Sequence, residues 1–566
     1  MTNFRPWRQT VLYQLYLWTF KEDEAHTPQT GNGTIRGLTE KIPYFVELGC
    51  DAVWVSPPYP GPMVDCGYDT TDMAAIHPDL GTLEDFDEFI AKCHDNNLRV
   101  MLDFIPNHTS VEHEWFQKSR RREDGFDDWY IWHPGKLDEN GKRVPPNNWA
   151  SDFSKPNRKA RDEGKMPWLK EDDWTPPISA WQWDDVRGEY YLHHFLVEQA
   201  DLNWSKPEVR EAIKDIMRFW LDRGVDAFRM DAVNHMGKNM DFPDEEINPD
   251  YNEKDFDNPY YQLQSRVSSN YTETLHFYVH EMTSVVHEPK YKDRDIHLTL
   301  EAYAEEADLQ AMNDLDPGVA STFNFAPFHM PWNAAARKRQ MDEYYANFNG
   351  AGIPNQIYGN HDNPRIATRF GDGPARAIAI LSMLVPGIGI IYSGDELGLH
   401  DGVVPPERAK DPSAFRDPDR TPIIWDDKQP NGGFSMADPE DLWLPINDDD
   451  LHLAVSCQQK DPLSTLALYQ AATQLRRELL AVRDGEYVPL TTDNKDVFAF
   501  ERRAGDDRAI VFVNFSSNKQ HVGNTVDFAK GRVALSSVDV CENIRTIDFM
   551  KGVDLQPNEA IVVIPN

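Results

Sequence analysis

The sequence predicts an α/β fold: a (β/α)8 TIM barrel with a small inserted domain after its third strand and a C-terminal antiparallel β-domain. Three observations predict it. Short apolar runs of strand length alternate with segments of helical periodicity, which indicates a parallel sheet. Roughly eight such units in one chain, without the glycine-rich phosphate loop expected of a doubly wound sheet, favour a closed barrel. The last part of the chain changes to short alternating strands, which are typical of an antiparallel domain.

The expected barrel strands are apolar runs that each end in polar residues. Amphipathic stretches between them, such as Leu83–Asn96 and Pro207–Arg223, predict the barrel helices. In chain order the strands are Val11–Tyr16, Ala52–Ser56, Arg99–Phe104, Ala227–Met230, His297–Leu300, Ser321–Phe325, Gln356–Tyr358 and Gly387–Tyr392.

The chain has 566 residues, which is too long for one hydrophobic core. The stretch from Thr109 to Ser179 is rich in Trp, Pro, Asp and Lys and is too long for a simple loop, so it reads as an inserted domain. A second long excursion follows the fourth strand. The expected division is a first barrel part at 1–108, the inserted domain at 109–179, a second barrel part at 180–483 and a C-terminal β-sandwich at 484–566.

Charge and cysteine content exclude several classes of protein. A formal net charge of −37 repels phosphate backbones and anionic lipid, so we expect neither nucleic-acid nor membrane partners. This charge fits a salty habitat and an ordinary acidic bacterial cytoplasm equally well. The five cysteines include no C-x-x-C pair, which argues against a disulfide framework and a zinc site. Without an apolar leader or a transmembrane run, the expected location is the cytoplasm, as a monomer or a homodimer.

Ionisable residues stand at the C-terminal ends of four expected strands. In a barrel these ends converge on one mouth, where active sites form. A lone Asp after a strand is more often a helix N-cap. Four strands end in this way, however, and four independent caps do not account well for that pattern. The residues are Asp103 with Asn107-His108, Arg229 with Asp231, Glu301, and Asn360-His361-Asp362.

The pair Arg229 and Asp231 points to a nucleophile. The two residues are two apart on a strand, so their side chains lie on the same face. A buried arginine beside an aspartate is expected to lower the pKa of that aspartate and to keep it ionised, as a nucleophile requires.

Several segments together resemble the α-amylase superfamily, glycoside hydrolase family 13. Four of them resemble its signature regions: Asp103-Phe-Ile-Pro-Asn-His108, Phe228-Arg-Met-Asp231, Glu301 after a strand, and Asn360-His-Asp362. The flanking segments narrow the resemblance to the branch of α-glucosidases and oligo-1,6-glucosidases. They are Tyr13-Gln-Leu-Tyr16, Ser56-Pro-Pro-Tyr59, Gly67-Tyr-Asp69, Pro145-Pro-Asn-Asn-Trp149, Gln199-Ala-Asp-Leu-Asn203 and Arg420-Thr-Pro422.

This resemblance implies the roles of the catalytic residues. Asp231 is the nucleophile that attacks the anomeric carbon, and Glu301 is the acid/base. Asp362 is the third carboxylate, which holds sugar hydroxyls. The implied activity is that of a retaining, exo-acting α-glucosidase that releases glucose from short α-glucosides through a covalent glucosyl-Asp intermediate.

The resemblance also implies a set of substrate-binding residues. Asp65 and Arg420 form an acidic–basic pair that closes the far end of the pocket, so that only a terminal glucose enters. Ala232, taken to lie on the strand face opposite Asp231, favours α-1,4 substrates such as maltose, whereas Gln199 is common among α-1,6-acting relatives. The full set is Asp65, Tyr68, His108, Gln199, Arg229, Ala232, His361 and Arg420.

Two positions depart from the family's pattern. The calcium loop of the family falls near Lys21–Gly37, where Thr30, Asn32 and Thr34 stand and the acidic motif of the loop is degraded. We therefore expect no metal and no required cofactor, with calcium as the alternative. Glu301 follows Leu300, where relatives carry Gly; the weaker candidates for the acid are Glu305 and Glu306.

Other functions stay open at this point. Transglucosylation or isomerisation, including action on sucrose or isomaltose, uses the same covalent intermediate, and acceptor choice depends on loop shape. A non-enzymatic transporter-associated subunit is disfavoured because all three carboxylates are present. An endo-acting starch enzyme is disfavoured by the closed pocket.

Overall fold

The protein is described by a computed structural model. It covers residues 4–25, 28–153, 178–250, 263–304, 306–328, 330–348, 352–411, 416–523, 525–540 and 545–566. Glu305, Cys541, part of the expected inserted domain (154–177) and part of the second excursion (251–262) lie outside the described residues.

Eight parallel strands form the barrel, as the sequence predicts. In chain order they are β1 (Val11–Leu15), β2 (Ala52–Val55), β3 (Arg99–Phe104), β4 (Ala227–Met230), β5 (His297–Leu300), β6 (Ala320–Thr322), β7 (Asn355–Gln356) and β8 (Ile388–Tyr392).

The barrel is nearly closed. Its strands are hydrogen-bonded in the order β6-β5-β4-β3-β2-β1-β8-β7. Between β6 and β7 no ladder is formed in the described chain, but single hydrogen bonds bridge the two strands. The amide N–H of Ile357 donates to the carbonyl of Asn324 at 3.3 Å, and the side-chain amide of Asn355 donates to the carbonyl of Thr322 at 3.0 Å. These hydrogen bonds link the two edges of the nearly closed barrel.

Helices surround the barrel. The expected helix at Leu83–Asn96 spans Leu83–Asp95 and begins with a capping box between Thr82 and Asp85, and Pro207–Arg223 ends at the left-handed Gly224. The other barrel helices are Ile35–Glu40, Ile42–Leu48, Thr272–Thr283, Glu306–Asn313, Ala334–Asn347, Ile366–Phe370, Asp372–Leu384, Val455–Gln458, Thr465–Glu478 and Leu480–Asp484.

Alternation along the strands separates two cores. Leu12, Trp54, Met101 and Ala227 belong to the apolar cluster inside the barrel, while their strand neighbours, such as Val53, pack on the helices. Residues two positions further along these strands point inward as well, at the C-terminal mouth. The fold therefore directs the polar residues that end the strands into one space.

The inserted domain extends further than expected. Strands Trp181–Asp184 and Glu189–Leu192 pair with each other, and the second also pairs with Trp132–His133. Gln199–Asp201 pairs with His108–Ser110 at the exit of β3. The boundary expected at residue 179 is thus too early, because pairing between distant segments places these strands in the inserted domain. This domain also holds helix Glu114–Arg120 and the hairpin of Lys136–Leu137 with Arg143–Val144.

The C-terminal part is an antiparallel β-domain. Phe498 and Val511 pack toward the barrel helices, whereas Phe512 and Val563 lie in a separate core on the other face. Its main sheet holds, in spatial order, Glu486–Pro489, Val497–Ala504, Asp507–Asn514, Ala560–Pro565, Lys530–Ser536 and Thr546–Asp548, and a smaller sheet pairs Gln520–Val522 with Val553–Leu555.

Among the helices of the described chain, none is long and apolar enough to cross a membrane.

Candidate active site

Four strand ends bring their ionisable side chains together at the barrel mouth. Asp103 lies on β3, Arg229 on β4 with Asp231 directly after it, Glu301 directly after β5, and Asp362 in the loop after β7. All five side chains are largely buried. Less than a tenth of each is exposed in Asp103, Arg229, Asp231 and Glu301, and 18% is exposed in Asp362. The expected convergence of these residues is found in the structure.

Arg229 contacts three carboxylates of the site. One terminal nitrogen donates to Asp103 at 2.7 Å and to Asp231 at 2.6 Å, and the other contacts Glu301 at 2.7 Å. Arg229 and Asp231 lie on one face of the strand, as their spacing indicates. A single guanidinium thus fixes the two residues expected to be nucleophile and acid/base next to each other.

Arg229 lowers the pKa of Asp231 as expected, but the net direction of the pKa is the opposite of the expectation. Burial raises the pKa of Asp231 well above its usual value, and the nearby Glu301 and Asp103 raise it further, while Arg229 opposes them. One cation shared by three carboxylates does not compensate for desolvation and mutual repulsion.

Asp362 has a different electrostatic environment. Arg416 and Arg420 each contact one of its carboxylate oxygens at 3.1 Å. The pKa of Asp362 lies well below its usual range: burial raises it, but His361 and the two arginines lower it by more. Asp362 is therefore ionised at neutral pH.

The partner of Asp65 is a correction to the expected pair. Asp65 is contacted by the guanidinium of Arg416 at 2.5 Å, whereas Arg420 donates to the carbonyl of His361 at 2.6 Å. The reason is the short 3-10 turn at Asp417–Arg420, which turns Arg420 toward the loop after β7 and leaves Arg416, just before the turn, to reach across. The acidic–basic contact that covers this side of the site exists, but with Arg416.

The histidines and Tyr68 form a connected layer beside these carboxylates. The hydroxyl of Tyr68 lies 2.7 Å from Nε2 of His361, and the two rings are stacked at 5.5 Å. Nε2 of His108 lies 3.2 Å from the carbonyl of Tyr68 and 3.2 Å from the amide nitrogen of Gln199. That same amide donates to Asp65 at 2.8 Å. Burial lowers the pKa of His108 to about 4, so this imidazole is neutral.

Ala232 does not lie on the opposite strand face. Strand β4 ends at Met230, and Ala232 has a left-handed backbone with φ 47° and ψ 38°. Its N–H donates to a carboxylate oxygen of Glu301 at 3.0 Å. The alternation assumed for this position fails because the chain has already left the strand. Ala232 instead supports Glu301 through its backbone and is buried beside it.

With this geometry in place, comparisons with known proteins identify the family. The family model "Alpha amylase, catalytic domain" matches residues 14–485. The chain belongs to the α-amylase family, glycoside hydrolase family 13. It is 34% identical to the alpha-glucosidase of Apis mellifera over 90% of this chain and 86% of that protein. It is 30% identical to the oligo-1,6-glucosidase of Parageobacillus thermoglucosidasius, over 98% of each chain.

Solved structures of family members agree in fold. The alpha-glucosyl transfer enzyme XgtA superposes with a TM-score of 0.83 at 29% identity, over 99% of this chain and 100% of that one. The trehalulose synthase MutB of Pseudomonas mesoacidophila MX-45 gives a TM-score of 0.78 at 28% identity, over 99% of both chains. The protein is thus a glycoside hydrolase of the α-amylase family.

The loop at Lys21–Gly37, where the α-amylase family's calcium loop is expected, begins with a buried lysine. The ammonium of Lys21 donates to the carbonyl of Gly433 at 3.1 Å and to that of Phe434 at 3.4 Å, and Lys21 is buried. The carboxylate of Glu22 accepts from the backbone of Thr30 at 2.7 Å. Among the described residues, no three His, Cys, Asp or Glu side chains are placed to hold a metal ion.

Two residues of this glycosidase site were missed from the sequence. Arg416 stands four positions before Arg420, and this closeness along the chain is the signal that either arginine could reach Asp65. Gln14 lies on β1 with its amide 2.7 Å from Nδ1 of His361. Strand alternation is the signal that could have identified Gln14: it lies two positions after Leu12, so both side chains point into the barrel.

Proposed function

We propose that this protein is a retaining, exo-acting α-glucosidase that releases α-glucose from the non-reducing end of short α-glucosides and prefers α-1,4 links such as maltose. One observation carries the proposal. Arg229 contacts Asp231 at 2.6 Å and Glu301 at 2.7 Å, so one guanidinium holds the two carboxyl groups close together. Inverting enzymes need a gap of about 6.5–9.5 Å between two carboxyl groups to hold a water, whereas a retaining pair lies closer.

The proposed reaction requires a proton on Glu301 and an ionised Asp231. An ionised oxygen of Asp231 attacks the anomeric carbon, the bond to the leaving oxygen breaks, and Glu301 transfers its proton to that oxygen. The product is a glucosyl ester on Asp231. Glu301, now a carboxylate, takes a proton from water, whose oxygen attacks the same carbon and restores Asp231.

Two further residues are proposed to bind hydroxyl groups of the glucose: the ionised Asp362 and the neutral His108. Asp362 is held ionised by Arg416 and Arg420, so it accepts hydrogen bonds from sugar hydroxyls. Burial lowers the pKa of His108 to about 4, so its neutral ring offers one donor and one acceptor to a hydroxyl group.

Exo-action is supported by the contacts across the far side of the site. Arg416 links Asp65 to Asp362, and Gln199 holds the other oxygen of Asp65. A chain continuing beyond the glucose on this side meets these ionic contacts, so only a terminal unit fits.

A time course of products tests the proposed function. Maltose and short oligosaccharides are expected to yield glucose from the first minutes, while soluble starch keeps its iodine colour because its internal bonds are not cut. The products are separated by anion-exchange chromatography. Rapid loss of iodine colour contradicts exo-action, and maltose without glucose from maltotetraose contradicts the release of single glucose units.

The α-1,4 preference is a separate prediction that concerns Ala232. Its side chain is small and lies beside Glu301, where the leaving sugar departs. A valine would add bulk there and is strained in a left-handed backbone. We expect wild-type kcat/KM to be higher for maltose than for isomaltose. Ala232→Val is expected to lower the maltose-to-isomaltose ratio by about tenfold.

Ala232→Gly is the matched control for this substitution. Glycine adopts the left-handed backbone freely and adds no bulk, so the wild-type ratio should persist. Isomaltose as the better wild-type substrate, or an unchanged ratio in Ala232→Val, shows that the residue does not select linkage.

Transglucosylation is the second candidate. The neighbours named as a glucosyl transfer enzyme and a trehalulose synthase favour it, and so does an aromatic pair. Tyr303, two residues after Glu301 and 48% exposed, stacks on Phe325 at 4.8 Å and 10°. Such a surface can hold an acceptor sugar in place of water. Trisaccharides formed from concentrated maltose in the same time course would identify this activity.

We also propose that the enzyme requires no calcium at the Lys21–Gly37 loop. The support is the ammonium of Lys21, a fixed cation that contacts two carbonyl oxygens of the kind that would otherwise ligate a metal. An α-glucoside is the proposed small-molecule partner. The cytoplasmic location, and a monomer or homodimer as the assembly, stay predictions from the sequence.

A further inference from the structure

The inference concerns Gln14, a buried residue of β1 that no step of the proposed reaction uses. Its side chain is fully buried at the barrel mouth. Its amide group lies 2.7 Å from Nδ1 of His361, on the side of the imidazole away from Asp362. The hydrogen bond joins β1 to the loop after β7. In the sheet, β8 lies between β1 and β7.

A neutral imidazole can make this contact in two ways. Either Nε2 carries the proton and Nδ1 accepts from the amide N–H of Gln14, or Nδ1 carries it and donates to the amide oxygen. Burial lowers the pKa of His361 well below its usual value, with Asp362 opposing this and Arg229, Arg416 and Arg420 adding to it. One of the two neutral forms is therefore present.

Asp362 distinguishes the two forms. Nε2 of His361 lies 3.4 Å from its carboxylate, which Arg416 and Arg420 keep ionised. A lone pair on Nε2 would face this negative charge, whereas an N–H is attracted to it. Nε2 is thus the protonated nitrogen, and Nδ1 needs a donor, which the amide of Gln14 supplies.

A second neighbour supports the same direction of donation. With Nε2 protonated, it donates to the hydroxyl of Tyr68 at 2.7 Å, and that hydroxyl donates to Asp103 at 3.3 Å. Asp103 is in turn held by Arg229. The donors run in one direction, from the amide of Gln14 through His361 and Tyr68 to the carboxylate of Asp103.

We propose that Gln14 is a positioning residue for the glucose site. By donating to Nδ1, it fixes the imidazole of His361 as the tautomer whose Nε2–H faces the space between Asp362 and Tyr68. The consequence for the reaction rests on the proposed function, which places the glucose there. The tautomer itself is independent of any substrate.

Nuclear magnetic resonance of the whole protein tests the tautomer. The protein is labelled with 15N-histidine, and the signals of His361 are assigned by their loss in His361→Asn. Two-bond correlations should show a protonated Nε2 and an unprotonated Nδ1 at neutral pH. In Gln14→Glu, the new carboxylate can only accept, so both nitrogens should be protonated. A protonated Nδ1 with a bare Nε2 in the wild type, or a Gln14→Glu spectrum identical to the wild type, overturns the proposal.

Kinetics test the consequence. Gln14→Met removes the donor and should lower kcat/KM for maltose by about tenfold. Gln14→Glu should work at low pH and lose activity as pH rises through the elevated pKa of His361, because the remaining proton then stays on Nδ1. Tyr68, Asp362 and the three nearby arginines are unchanged in this variant. A pH profile like that of the wild type contradicts the role.

Gln356→Glu is the matched control. Gln356 is a buried glutamine on β7 that bonds Tyr345 and Tyr358 and makes no described contact with His361. It should keep the wild-type pH profile, and thermal melting checks that each variant is folded. If the maltose assay fails for the wild type but the tautomer is as expected, the proposed function is wrong and the positioning of His361 stands.

Discussion

Asp231→Asn is expected to lower kcat for maltose by at least about 10⁴-fold, because an amide cannot form the glucosyl ester on which the proposed double displacement depends. The fold should persist, since the asparagine oxygen can still accept from Arg229, which contacts Asp231 at 2.6 Å. Burial raises the pKa of Asp231, and removing its charge therefore relieves desolvation. Steady-state kinetics and thermal melting measure the two effects.

Asp222→Asn is a suitable control for this substitution. Asp222 lies on the outer helix Pro207–Arg223 and bonds Tyr291 at 2.6 Å, away from the barrel mouth. It should retain wild-type kcat. Substantial turnover in Asp231→Asn would place the nucleophile elsewhere, and Asp362 would be the next residue to replace.

Glu301→Gln is expected to lower kcat/KM for maltose by about 10³-fold, because the leaving oxygen then departs without a proton. The amide can still accept from the N–H of Ala232, so the local backbone should hold. The loss should be much smaller for the first step with an activated nitrophenyl glucoside, whose leaving group needs no acid. A burst of nitrophenol should then precede slow hydrolysis.

Azide separates the two roles of Glu301. As an anionic nucleophile it needs no general base, so it should restore turnover of the nitrophenyl glucoside in Glu301→Gln and yield α-glucosyl azide. No such rescue is expected in Asp231→Asn. Full maltose activity in Glu301→Gln, with loss of activity in Glu306→Gln, would move the acid role to the following helix.

The barrel and the strand-end residues could be predicted because both follow from local patterns. Burial gives the strands their apolar runs, and parallel strands direct their C-terminal ends to one mouth. Arg229 and Asp231 were placed on one face by strand alternation alone, and the structure joins them at 2.6 Å. Helix ends at Asp95 and Arg223 followed from their flanking polar and glycine residues.

Contacts between distant segments could not be predicted in this way. The sequence offers two arginines, Arg416 and Arg420, and only the turn between them decides which one reaches Asp65. The same limit applies to the end of the inserted domain, where strand pairing crosses dozens of residues.

The sequence pattern also could not predict where the backbone leaves regular strand geometry, or how several charges together set one pKa. Alternation predicts the position of the Ala232 side chain only while the strand continues, and a left-handed alanine is too rare to expect. The pKa of Asp231 depends on burial, two neighbouring carboxylates and one guanidinium, gathered from three strands. Sequence spacing showed only Arg229, which is the one neighbour that lowers it.

Trapping the covalent intermediate tests the central claim most directly. The wild-type protein is incubated with a fluorinated α-glucosyl fluoride that forms the ester quickly and hydrolyses it slowly, then digested and analysed by mass spectrometry. One fluoroglucosyl group on the peptide that contains Asp231, with fragment ions that assign it to this side chain, is the predicted result. A label on Glu301 or Asp362, or an unlabelled protein that still releases β-glucose first from maltose, would contradict the account.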